Sequence, residues 1–137
     1  MAITNYTSNK ILDYNFGSTS YTVPATIYIG LSTTALSFAG TGYTEPSGGN
    51  YSRVAVTNNK VNFSIAANGT LNNQTQITFP ESSAAWGTIT YVFISDSPTG
   101  GNVLYYEALT TPRVVATNTT LLFSAGALVL TSTMTNG

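Results

Sequence analysis

Five carboxylates are the main candidates for acid–base chemistry in this sequence: Asp13, Glu45, Glu81, Asp96 and Glu107. Two of them on facing strands could hydrolyse a glycosidic bond, one as acid and one as base or nucleophile. They are scattered, and Glu107 alone sits inside an apolar strand-like run, Val103-Leu104-Tyr105-Tyr106-Glu107-Ala108-Leu109. There it could face a Tyr-lined groove, or stand in solvent paired with Arg53 or Arg113; the second reading is preferred. Asp96 with backbone carbonyls could hold Ca²⁺, but no further ligand directs it. Trp86, Tyr91, Tyr105 and Tyr106 could stack on sugars, although large aromatics also build cores and interfaces, which is preferred. Gly48-Gly49-Asn50 lacks the following Lys-Ser/Thr and the strand-to-helix setting of a phosphate loop. No catalytic, cofactor-binding or metal residue is therefore assigned.

The rest of the inventory narrows the choice further. The 137 residues include no His and no Cys. Imidazole and thiolate ligation of zinc, haem or iron–sulfur clusters is excluded, as are Ser–His–Asp and Cys–His catalysis. Four basic against five acidic residues give a net charge of −1, too little for phosphate-driven nucleic-acid binding or for a polybasic membrane patch. The longest greasy stretch, Leu121 to Leu130, is half of what a bilayer span needs. The N-terminus carries no secretory pattern, so the chain is expected to be made in a cytoplasm. At 42 % hydrophobic and 12 % aromatic residues it is no disordered chain, and one domain fits the length.

Charged residues make up 7 % of the chain against a typical ~25 %. Their place is taken by 24 Thr, 14 Ser and 13 Asn. Thr suits a half-exposed pleated surface, and Asn suits turns with positive φ. A neutral surface does not repel its own copies, which favours a part that sits among identical neighbours; a codon bias would leave the same composition. Six Asn-Xaa-Ser/Thr triplets, at Asn5, Asn50, Asn62, Asn68, Asn73 and Asn118, compare with about 3 to 4 expected by chance, and without a secretory context they read as composition.

Positioning elements follow from hydrophobic period. Residues 3 to 16 are predicted helical, with Thr4 as N-cap, Leu12 and Phe16 as an i,i+4 pair and Gly17 as the stop. After Gly17 the period becomes two. Strands are predicted over Ala25–Leu31, Tyr51–Thr57, Val61–Ile65, Ile77–Phe79, Gly87–Ser95 and Val103–Leu109, with a last pair, Thr119–Ala125 and Ala127–Thr133, turning near Gly126. In Gly87–Ser95, Ile89, Tyr91 and Phe93 would share one face and Val92 and Ile94 the other, as in a central strand. Asn68-Gly69 is a hairpin signal; Pro112 reads as a break; residues 35 to 50 form a long loop. The fold class is all-β, an antiparallel β-sandwich or jelly-roll-like barrel with one short N-terminal helix: a single domain over 1–137, with 1–17 as a helical segment or arm and 18–137 as the sandwich.

Several motifs in order carry a resemblance. They are Asn9-Lys10-Ile11-Leu12-Asp13, Tyr28-Ile29-Gly30-Leu31-Ser32-Thr33, Gly48-Gly49-Asn50-Tyr51-Ser52-Arg53, Ile77-Thr78-Phe79-Pro80, Ala85-Trp86-Gly87-Thr88-Ile89, Gly100-Gly101-Asn102-Val103-Leu104-Tyr105-Tyr106 and Phe123-Ser124-Ala125-Gly126-Ala127-Leu128. The set resembles small virion structural proteins of tailed bacteriophages, often labelled tail fibre or minor structural proteins. The resemblance implies a non-enzymatic part of the virus particle and carries over no catalytic residue. Members often have a third Gly where this chain has Asn50, which puts in doubt any contact that needs bare backbone there.

A compact domain of this length is roughly 40 Å across, so one copy cannot be a fibre. The leading expectation is a capsid decoration (cement) protein that binds the outer shell as a homo-oligomer, a trimer by analogy of architecture. The alternatives are a tail or tail-fibre component and a carbohydrate-binding receptor module. Expected partners are other copies of the chain and the major capsid protein or tail proteins of the same virion, with no nucleic acid, membrane or cofactor. The contact elements expected are residues 1 to 17 and the loop 35 to 50, either of which could order on docking.

Overall fold

The computed structural model describes residues 1–132. Its strands are β1 (Ala2–Ile3), β2 (Thr26–Ser32), β3 (Val54–Thr57), β4 (Thr70–Asn72), β5 (Ile77–Thr78), β6 (Gly87–Ser95), β7 (Val103–Val115), β8 (Leu122–Phe123) and β9 (Val129–Thr131); the helix α1 is Asn5–Asn15. Five strands form one antiparallel sheet in the order β1-β7-β6-β2-β3. Two short ladders, β4–β9 and β5–β8, build the opposing layer. Period-two strands of this kind have one apolar face. Here Ile27, Ile29 and Leu31 of β2 and Ile89, Val92 and Ile94 of β6 meet Phe63, Ile77, Phe79, Leu121 and Leu128 from the other layer. This is the predicted all-β sandwich with its single short helix.

The other face of the large sheet carries a smaller core of Leu36, Phe93 and Val103, closed by Tyr43, Tyr91 and Tyr106. Gly30 makes room for it, because a Cβ there would lie 2.3 Å from the Phe93 ring. β6 is the central strand and is covered on both faces, as expected. Its residue phase is not the expected one: a register shift between Ile89 and Tyr91 puts Ile89 with Val92 and Ile94, while Tyr91 and Phe93 face the smaller core. A bulge moves the side chains beyond it to the opposite face, and simple alternation cannot anticipate that.

Other expectations are corrected by local hydrogen bonding. Val61–Ile65 is a capped turn and not a strand: the Asn59 carboxamide oxygen accepts from the N–H groups of Val61 and Asn62, and the Phe63 N–H returns to the Asn59 carbonyl. Only Phe63 of that run is buried. β7 runs through Pro112 without breaking, because Leu109–Pro112 lie in the irregular stretch opposite Thr90, where a ladder N–H is not required. The chain does turn at Gly126, but β8 and β9 do not pair with each other; they pair with β5 and β4. The predicted end of that last segment at Thr133 lies outside the described residues.

α1 is capped as predicted, with Thr4 accepting from the Thr7 N–H. The left-handed residue after it is Ser18 (φ 54°), while the Thr19 N–H reaches the Asp13 carbonyl. The helix packs through Thr7 and Tyr6 and leaves its later apolar residues exposed, so its i,i+4 pair is not part of the core.

Candidate functional site

The five carboxylates do not come together. Asp13 is exposed on α1 and Glu81 is exposed before β6. Asp96 clamps the β6–β7 turn, accepting from the Asn102 N–H at 2.7 Å and the Asn102 side-chain amide at 2.9 Å. Glu107 pairs with neither Arg53 nor Arg113; its carboxylate lies 4.0 Å from the Met1 ammonium. It sits at the rim of an open groove of about 650 Å³ between the later half of β7 and residues 119–128, and that groove is lined by Thr110, Thr111, Thr119, Thr120 and Leu122 rather than by tyrosines. Among the described residues no group of three or more His, Cys, Asp or Glu side chains is placed to hold a metal ion.

The densest polar constellation is built around Glu45, Tyr51 and Arg53. Gly48, Gly49 and Asn50 are three successive left-handed residues (φ 73°, 58° and 65°), and they fold the chain back so that Glu45 meets Arg53. The guanidinium gripping the carboxylate is bidentate, Nε to Oε1 at 2.8 Å and Nη2 to Oε2 at 2.9 Å. Nη1 donates to Ser95 Oγ and to the carbonyls of Ser97 and Gly100. The Phe93 and Tyr43 rings lie 5.0 and 5.8 Å from the guanidinium carbon. Burial opposes the Arg53 charge, but the Glu45 carboxylate, with Tyr43, outweighs it and raises the pKa above the ordinary value. The Tyr51 hydroxyl donates to Glu45 and accepts from the Leu31 N–H. Burial, reinforced by Glu45, pushes its pKa well above 10 even though the Leu31 bond works the other way.

This constellation is a structural pin. It ties the loop 35–50, the strand β3 and the β6–β7 turn together, and each of its members is occupied. No sequence signal pairs Glu45 with Arg53 across eight residues; Gly48-Gly49-Asn50 reads only as the end of the loop 35–50, and its effect on its flanks does not show. Asn50 keeps the backbone shape that a third Gly would allow and donates to the Glu81 carbonyl at 3.0 Å. The bare backbone is needed at Gly49, where a Cβ would lie 2.8 Å from the Ala84 carbonyl oxygen and whose own carbonyl accepts from the Trp86 indole.

The aromatic candidates are also committed inward. Trp86 is buried and packs edge-on to Tyr51 and Phe79. Tyr91 and Tyr106 pack on the smaller core and Tyr105 on the larger, with burial raising the Tyr105 pKa and neighbouring Tyr21 adding to it. Neither expected contact arm hangs free. Leu36 and Tyr43 of the loop 35–50 cover the smaller core, and Ser32 Oγ accepts from the Thr44 N–H. Residues 1–7 are woven into the sheet: β1 pairs with β7, and Thr4, fully buried, donates to the Val103 carbonyl at 2.6 Å. Large apolar side chains are among those that face outward, including Leu12 of α1 and its C-cap Phe16, Val61 and Ile65 in the Asn59 turn, Phe38 in the loop 35–50, and Val114 beside the groove.

The family model described as Podophage GP4 fiber I protein gp80 matches residues 2–131. No curated protein matches the chain.

Proposed function

The chain belongs to the podophage fiber I family, and from that premise we propose that it is a non-enzymatic component of a phage tail fibre that works by docking. Membership over nearly the whole length makes it a virion structural protein. The family's description favours the fibre over the capsid-decoration role that composition and size led us to expect. The observation that carries the reading is the structural use made of the most densely bonded polar and aromatic groups. Glu45, Tyr51 and Arg53 are locked in a pin, Asp96 in a turn, and Trp86 in the core.

In this role the partners are other copies of the chain, as a homo-oligomer with a trimer as the starting expectation, and neighbouring tail proteins. Assembly takes place in the host cytoplasm. Many modest contacts suffice, since each contact after the first is intramolecular on the particle. The test is the copy number per virion by quantitative mass spectrometry, together with antibody labelling of intact particles. A copy number that is a small multiple of the tail's symmetry, with label at the tail, supports the fibre role. Hundreds of copies with label over the head would restore capsid decoration in its place.

A further inference from the structure

Among the large apolar side chains that the fold leaves exposed are two pairs, each spaced four residues apart. Leu12 of α1 and its C-cap residue Phe16, four residues on, are 51 % and 85 % accessible; Val61 and Ile65, four apart in the Asn59 turn, are 71 % and 80 % accessible. α1 grows from β1 at one edge of the five-stranded sheet, and the Asn59 turn leaves β3 at the other. Those edges are four strand spacings apart, roughly 19 Å, and the exposures show that neither pair covers the other within one copy. Single exposed apolar side chains are ordinary; neighbouring large ones add up to apolar surface that a partner can cover.

Each pair has one charge of opposite sign beside it. Asp13 follows Leu12, and Lys60 precedes Val61; both are exposed. Among the described residues neither takes part in a salt bridge. Lys60 donates to the Ser64 carbonyl within its own turn, and Lys10, the cation on α1, lies over the Tyr6 ring.

We propose that a second copy of this chain covers these surfaces: the Leu12/Phe16 ridge of one copy packs on the Val61/Ile65 turn of the next, with Asp13 facing Lys60. Ridge on ridge would bring two Asp13 carboxylates together, and turn on turn two Lys60 ammoniums, so the charges select the mixed pairing. At a net charge of −1 little long-range repulsion opposes close copies. The contact is head-to-tail. It closes into a ring, a trimer being one such closure, or runs on as a filament. It rests on the fibre reading for the need of many copies, and it deepens that reading by naming the surfaces that join them.

Sedimentation velocity of the purified full chain over a concentration series tests it. Wild type associates, whereas Phe16→Glu and Ile65→Glu each weaken association by about tenfold or more. Both positions are exposed, so unchanged thermal melts confirm that the variants are folded. Mixed in equal amounts, the two variants form a one-to-one dimer and nothing larger, because each keeps one intact surface. Asp13→Lys and Lys60→Glu each weaken association, and the double exchange restores it. A wild type that stays monomeric, a folded pair of variants that fails to dimerise on mixing, or variants that associate like wild type would overturn the contact. A monomeric result leaves the fibre reading standing, since particle labelling tests that separately.

Discussion

Replacing Arg53 by Met removes the donors of the pin while keeping most of the apolar stem between Phe93 and Tyr43. Glu45 Oε2 then loses its partner, and Oε1 keeps only the Tyr51 hydroxyl. The Ser97 and Gly100 carbonyls also lose Nη1, but they belong to an exposed turn and can rehydrate. Breaking a buried ion pair from one side costs about 3–5 kcal/mol. The Glu45 side chain retains 24 % accessibility, so part of its charge can hydrate and the low end, about 3 kcal/mol, applies. With an unfolding entropy of about 2.1 cal/mol/K per residue, 137 residues give about 0.29 kcal/mol/K, hence a fall in Tm of about 10 °C. Arg53→Met with Glu45→Gln removes the orphaned charge and leaves an acceptor for Tyr51, so the double variant is more stable than Arg53→Met alone by about 1–2 kcal/mol. Urea melts of wild type and the two variants read both free energies, and a thermal melt reads the fall in Tm. If Arg53→Met costs under about 1 kcal/mol, or the second change fails to recover stability, the pin is not what holds the loop 35–50 to the sheet.

Two further predictions concern the same face of the sheet and its alkaline behaviour. Gly30→Ala places a methyl inside the Phe93 ring contact and should destabilise by about 1–3 kcal/mol, with Phe93→Leu relieving a measurable part of that loss in a double-mutant cycle by urea unfolding. Tyr51 has a folded-state pKa above its unfolded value of about 10, so the folded chain holds the proton more tightly; its contribution is complete below pH ~10 and is lost as pH rises beyond it, at up to about 1.4 kcal/mol per pH unit. Tyr51→Phe should therefore flatten the alkaline limb of a stability–pH curve, and an unchanged limb would show that the phenol does not ionise on unfolding.

The sequence was legible where side-chain period and backbone geometry act within a few residues. The bounds of β6, the Thr4 cap and the Asn68-Gly69 turn, with both residues at positive φ, follow from local rules. It was illegible where one hydrogen bond redirects a pattern. The alternation Val61-Phe63-Ile65 has the period of a strand, but the Asn59 side chain satisfies two backbone N–H groups and closes a turn first. The bulge after Ile89 and the pairing of β8 and β9 with β5 and β4 depend on contacts distant in the chain, and no short window contains them. The Glu45–Arg53 pair is hidden for the same reason: three left-handed residues bring the partners together, while the sequence offers Arg53 and Arg113 equally as partners for Glu107.

The scarcity of charge has a structural cause as well as a functional consequence. The second layer consists of ladders of two or three residues, which supply few backbone bonds. Buried side chains make up the difference. Asn73 donates to the Thr75 and Ser124 carbonyls and accepts from the Leu128 N–H. Ser82 bonds the Ala116 carbonyl and the Thr119 N–H. Hydroxyls and amides do this at a far smaller desolvation penalty than charged groups would, and among the described residues no buried side-chain nitrogen or oxygen lacks a partner. A codon bias would scatter Asn and Ser without regard to burial, and it does not account for residues that sit at buried positions with partners this specific. Buried neutral polar residues such as Asn73 and Ser82 are thus the stitching of a short-stranded sandwich. That stitching needs no charged side chain, so a short-stranded sandwich holds together with 7 % charged residues.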